Sequence, residues 1–186
     1  MAGKFTVKEL TACALFGALT FTLVFILGTG FVLATGIPAS GGVLSVMMAV
    51  LVLTIATAMI DRFGVASIIL TVAGALAIPT VTFGPPGIYK ILELLVQGFL
   101  FDMIIYLFGR RERVYVVAGT AVGVIAAPMI LLFLVLLNLP GADKLAPLVT
   151  IFSVIYAIVG AIGAKIGFWL FEKKLKHRAF VRHLRN

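Results

Sequence analysis

Six apolar runs, each about as long as a bilayer is thick, take up almost all of this 186-residue chain. A helix crossing the hydrocarbon core needs roughly 20 such residues. The runs fall at approximately 10–34, 42–60, 64–82, 88–108, 114–138 and 147–171. Between them stand short breaks with turn chemistry: Gly36-Ile37-Pro38, Asp61-Arg62, Gly84-Pro85-Pro86-Gly87, Gly109-Arg110-Arg111 and Leu139-Pro140-Gly141. None of these breaks is long enough to hold a soluble domain. With 62% hydrophobic and 12% charged residues, the chain has more apolar surface than one small soluble globule can hide. The expected fold is therefore an all-α membrane protein, one six-helix transmembrane domain over residues 1–186. Transmembrane β-strands would alternate apolar and polar residues, and stretches such as 131–137, all Leu, Phe and Val, do not. The first run is about 25 residues long, beyond the ~7–15 apolar residues of a secretory signal, so it reads as a spanning helix.

The basic residues set the expected orientation. If both termini face the cytoplasm, Lys4, Lys8, Arg62, Arg110, Arg111, Arg113, Lys173, Lys174, Lys176, Arg178, Arg182 and Arg185 all lie inside, 12 of the 15 Lys and Arg residues. Only Lys144 falls in an outer loop, while Lys90 and Lys165 fall within helices. The positive-inside rule selects this topology. The formal charge of +8 is thus a topology signal and a surface for acidic membrane lipids rather than a nucleic-acid site. Trp169, Phe168 and Tyr115 suit an interfacial aromatic belt at the inner face.

The usual catalytic parts are missing. His177 and His183 both sit in the basic tail, Cys13 is the one cysteine, and no cluster has metal-ligand spacing. The chain contains no H-E-x-x-H, no G-x-S-x-G and no phosphate-binding G-x-x-x-x-G-K-[ST] loop. The expectation is a protein that is not an enzyme, needs no cofactor or metal, and hydrolyses no ATP itself.

What polar chemistry there is gathers in the fourth run and the turn before it. Lys90, Glu93 and Gln97 follow the spacing i, i+3, i+7 and share one helix face. A charge facing lipid at the helix centre costs ~2.5–3.5 kcal/mol on insertion scales, so this stripe should face the bundle interior. It descends from the outer mouth, with Tyr89 above it as either a ring on which a flat ligand could stack or an interfacial anchor. Two readings stand side by side. One is a Lys90–Glu93 ion pair at the helix start; the other is a substrate pocket, capped by segments 36–41, 83–87 and 140–147. Deeper, Asp102 and Lys165 stand at similar depth on the fourth and sixth helices. They read as a structural ion pair, with a coupling or proton-carrying site as the alternative. In the first run Ala14 and Ala18 form a small-x-x-x-small pair that allows close helix approach. Gly160, Ala164 and Gly167 show the same trait in the last run and are expected to pack internally.

Taken together, Ala14-x-x-x-Ala18 in the first helix and the Gly84-Pro85-Pro86-Gly87 turn followed by Lys90, Glu93, Gln97 and Gly98 resemble the S-component of energy-coupling factor (ECF) vitamin transporters. The likeness covers essentially the whole chain. The stretch from Pro86-Gly87 to Val96-Gln97-Gly98 is most similar to S-components for thiamine or its pyrimidine precursor. The resemblance implies a substrate-specific subunit that captures a vitamin or related micronutrient at high affinity in the plasma membrane of a prokaryote. It implies docking through Ala14 and Ala18 onto a transmembrane coupling subunit that carries two ATPase subunits, followed by toppling of the S-component within the membrane. Two other classes remain open: a small autonomous secondary transporter using Glu93 or Asp102 for coupling, and a ligand-free structural or assembly protein.

Overall fold

The computed structural model describes residues 5–35, 40–138, 142–176 and 178. Among these, all regular structure is helical: α1 (Val7–Thr35), α2 (Ser40–Met59), α3 (Val65–Ala77), α4 (Tyr89–Phe108), α5 (Glu112–Leu136), a short α6 (Ala142–Leu145) and α7 (Val149–Leu170). One turn of 3-10 helix precedes α7, and a π-helical turn, Phe171–Leu175, follows it. Five helices are long and apolar enough to cross a bilayer, as a multi-pass membrane protein requires, and α3 is a shorter apolar helix. Large apolar side chains lie exposed along the outward faces, among them Leu15 and Ile26 on α1, Leu107 on α4, Val117 on α5 and Val154 and Ile158 on α7. Such an exterior suits lipid rather than water.

The helices close into a ring. α1 packs on α2, α2 on α7, α7 on α5, α5 on α4, α4 on α3, and α3 back on α1. Small residues set the tightest crossings, because association in lipid depends on close van der Waals approach rather than on a hydrophobic drive. A Cβ on Gly119 of α5 would come within 2.6 Å of the Gly160 carbonyl on α7. On the same α7 face, a Cβ on Gly167 would come within 2.7 Å of the Leu51 carbonyl of α2. Gly160, Ala164 and Gly167 are buried, so this stripe does pack internally as expected.

The ring has two unlike ends. At one, which we call the basic end, lie the start of α1, the Asp61-Arg62 turn and the α4–α5 connection. Thr6 and Glu9 form a reciprocal cap on α1: the Thr6 amide donates to Glu9 Oε2 at 2.7 Å and the Glu9 amide to Thr6 Oγ1 at 3.3 Å. Glu9 also pairs with Arg62, and Arg110 Nε pairs with Asp61 at 2.7 Å. Arg110 further donates to the Thr57 carbonyl near the end of α2. The rings of Phe101, Tyr115 and Phe168 tie α4, α5 and α7 together, with centroids 6.3 and 5.3 Å apart. Trp169 is exposed, with the Lys173 ammonium 5.5 Å from its ring, as an interfacial anchor requires; Phe168 and Tyr115 are packed inward instead. In the basic tail, 177 and 179–186 lie outside the described residues.

The third run departs from its expected length. Residues 64–82 read as a full span, yet the helix runs only over Val65–Ala77, about 20 Å at 1.5 Å per residue. Pro79 has no N–H to continue the ladder. Residues 78–88 then fold as turns that fill the rest of this depth at the other end of the ring.

Both ends of α3 are capped by side chains of α4. Gly64 precedes α3 in a left-handed conformation, φ 96°, and supplies no capping side chain. Asp102 of α4 takes that role: the amides of Ala66 and Ser67 donate to it at 3.1 and 2.8 Å, and the Ser67 hydroxyl at 2.8 Å. At the far end Lys90 Nζ donates to the carbonyls of Ala77 at 3.0 Å and Thr80 at 2.6 Å. Lys90 and Asp102 lie 12 residues apart, about 18 Å along α4, which matches the length of α3. The carboxylate thus meets the positive end of the α3 dipole and the ammonium the negative end. The expected Asp102–Lys165 ion pair does not form. Asp102 is turned into the α3–α4 contact and its oxygens are taken by amides, while Lys165 is exposed on the outward side of α7.

Candidate substrate cavity

A cavity of about 370 Å³ lies inside the ring at the end opposite the basic one. Every helix of the ring contributes to its wall: Val24 and Gly28 from α1, Ser45 and Val50 from α2, Leu70 from α3, Glu93 and Gln97 from α4, Val122 and Ala126 from α5, and Tyr156 from α7. The turn after α3 closes it with Thr82, Phe83 and Gly84. Phe83 and Gly84 both have left-handed backbone, φ 61° and 106°. For Phe83 this conformation costs of order 1–2 kcal/mol, a strain that persists only where the surrounding fold fixes it.

The α4 face predicted to point inward does so: Lys90, Glu93 and Gln97 are buried, and Tyr89 and Asp102 are buried with them. The structure then divides them. Glu93 and Gln97 reach the cavity wall. Gln97 Nε2 donates to Glu93 Oε1 at 3.2 Å, an i, i+4 contact that orients both groups. Glu93 is 1% exposed, and its Oε2 has no hydrogen-bond partner among the described residues. Lys90 and Tyr89 are not on the wall. Lys90, wholly buried, neither snorkels outward nor pairs with Glu93, because its ammonium is held by the two carbonyls at the end of α3. Tyr89 donates its hydroxyl to the Pro85 carbonyl at 2.7 Å and packs on Phe133, ring centroids 5.5 Å apart, so it braces the Pro85-Pro86 turn.

Of the expected capping segments, the 83–87 turn contributes Phe83 and Gly84, and the 36–41 segment contributes Gly41. Residues 36–39 and 139–141 lie outside the described residues, and 142, 143, 146 and 147 are not on the wall. Ala14 is exposed and Ala18 half-buried on the outer side of α1, beside the exposed Leu10, Leu15 and Leu19.

Tyr156 is the wall residue that sequence reasoning passed over. It stands on α7, stacked on Phe152 at 5.7 Å, and Gly42 of α2 makes room for its hydroxyl, since any Cβ there would overlap the phenol oxygen. A Tyr–Gly contact between α2 and α7 has no signature in a linear sequence. Ser45, also on the wall, spends its hydroxyl on the Gly41 carbonyl at 2.7 Å. No group of three or more His, Cys, Asp or Glu able to hold a metal occurs among the described residues.

No protein-family model, curated protein or solved structure matches this chain. The reading of the cavity therefore rests on its own chemistry: an apolar chamber in a membrane-type bundle, one carboxyl group on its wall, and that carboxyl half-satisfied.

Proposed function

We propose that this chain is the substrate-binding membrane subunit of an ECF-type transporter, an S-component that captures a vitamin or related micronutrient. In this reading α1, α2, α4, α5 and α7, together with α3 and the turns after it, make six crossings of the plasma membrane of a prokaryote. Both termini face the cytoplasm, so the cavity opens toward the outside and the basic end faces in. The observation that carries the reading is Glu93, a buried carboxyl whose second oxygen lacks a partner on the wall of a ligand-sized chamber. Buried polar groups are mostly hydrogen-bonded in folded proteins. Of the three buried side-chain oxygens without a partner among the described residues, on Thr54, Glu93 and Tyr115, the Glu93 oxygen is the one whose residue lines the cavity, where a ligand can supply the bond. The exposed apolar face around Ala14 and Ala18 supports α1 as the docking surface for the transmembrane coupling subunit and its two ATPases.

The test is uptake into proteoliposomes of a ligand identified by mass spectrometry of the purified protein. Uptake is expected to require the ATPase-bearing partner. Ala14→Trp should abolish it while leaving ligand binding intact, because a close helix crossing accepts a methyl group and not an indole. Uptake without any ATPase would make the protein a secondary transporter and overturn the reading. A reporter fused after Asn186 is expected to be active only inside the cell.

A further inference from the structure

We infer that the cavity selects a small ligand with a cationic or N–H-donating head and rejects carboxylates and phosphates, with Glu93 as the selecting residue. This rests on the cavity being the substrate site, though not on how transport is powered. Among the described residues Glu93 is the one acidic side chain on the wall, and no Lys, Arg or His lines it. The Lys90 ammonium, three residues before it, would favour an anion if it faced the cavity. It is instead fully buried against the Ala77 and Thr80 carbonyls. Arg62 and Arg110 are paired with Glu9 and Asp61, at the opposite end of the ring. An incoming anion would thus meet a carboxyl group in an apolar chamber with no cation on its wall, the nearby Lys90 ammonium being taken up by two carbonyls. A cation or N–H donor finds an open acceptor in Glu93 Oε2, already oriented because Oε1 is held by Gln97. The rings of Phe83 and Tyr156 on the same wall suit a flat body behind that head.

Three flat probes of similar size separate the possibilities: benzamidine, a cation with two N–H edges; benzoate, its anionic counterpart; and benzyl alcohol, uncharged. Binding to purified full-length protein is read by calorimetry and by the shift in unfolding temperature. Benzamidine is expected to bind at least tenfold more tightly than benzoate, with benzyl alcohol between. In Glu93→Gln that order should collapse to within about twofold. The same variant should unfold at a higher temperature than the parent when no probe is present, because it removes a buried carboxyl group whose second oxygen lacks a partner. Glu93→Leu should do likewise. A merely structural Glu93 predicts the reverse, a lower unfolding temperature. The inference is overturned if benzoate binds as well as benzamidine, if no probe binds, if the preference survives in Glu93→Gln, or if both variants are destabilised. Charge preference together with uptake that needs no ATPase would remove the ECF reading and leave this one. ATPase-dependent uptake without charge preference would do the opposite.

Discussion

The two ends of the helix ring solve the same problem, polar groups in an apolar body, in opposite ways. At the basic end three carboxylates come with partners, Glu9 with Arg62, Asp61 with Arg110, and Asp102 with two amides and a hydroxyl, although the buried Tyr115 hydroxyl has none among the described residues. The space between them is filled by the rings of Phe101, Tyr115 and Phe168. At the cavity end the packing opens into a chamber, and Glu93 keeps an oxygen without a partner. Breaking a satisfied buried group costs stability, whereas removing a half-satisfied one costs function. The contrast assigns the basic end to holding the bundle together and the cavity end to recognition. Helix α3 joins the two, with Asp102 at one tip and Lys90 at the other.

This comparison can be broken, and the largest effect should come from Asp102→Ala. It strips three hydrogen bonds from the start of α3 and leaves the buried Ala66 amide and the half-buried Ser67 amide bare, so we expect a loss of about 3 kcal/mol in detergent-solubilised stability. Asp102→Asn should recover part of that. Lys90→Met comes next, at roughly 2 kcal/mol, for the carbonyls of Ala77 and Thr80. Its ligand affinity should change far less than its unfolding temperature, and the reverse would return Lys90 to the binding site.

Gly42→Val sharpens the contrast at the cavity end. The added methyls displace the Tyr156 hydroxyl, the movable tip of a side chain, so stability should stay near that of the parent. Benzamidine affinity should fall about tenfold, near 1.4 kcal/mol. Back at the basic end, Arg62→Gln should cost at most about 1 kcal/mol, since the Arg62 side chain is 29% exposed and solvent screens its pairing with Glu9. The smallest effect belongs to Lys165→Ala, within about 0.5 kcal/mol, because this lysine faces outward and makes no ion pair with Asp102. Unfolding curves across this set would show whether the stability cost really concentrates away from the cavity.

Several of these features are legible along the chain. The 90, 93, 97 spacing places three polar groups on one face of α4, and that face is buried. The small residues of α7 predict close helix packing, and they are found against α5 and α2. The reciprocal Thr6–Glu9 contact, which only the structure brings out, carries α1 back to Val7, three residues before the expected start of the first span. Other features are invisible along the chain. Shared depth on α4 and α7 suggested that Asp102 and Lys165 would meet. Depth alone does not say which way a side chain turns, and the nearer α3 amides claim the carboxylate. Tyr89 and Lys90 look like pocket residues because they flank Glu93, yet both are drawn to free carbonyls, at Pro85 and at the end of α3.

The sequence by itself determined the material of this protein: helices of bilayer length, an apolar exterior, a basic end, and a polar stripe that cannot face lipid. These follow from residue counts and from the periods of helix geometry, which need no knowledge of neighbours. The tertiary structure alone decided the order of the ring, the shortening of α3, and which members of the stripe serve the fold and which face the cavity. Each of those outcomes turns on hydrogen-bonding groups brought together from distant parts of the chain. Lys90 finds the end of α3 and Asp102 its beginning because α4 lies antiparallel against it. Glu93, between them on the same face, is left with the chamber.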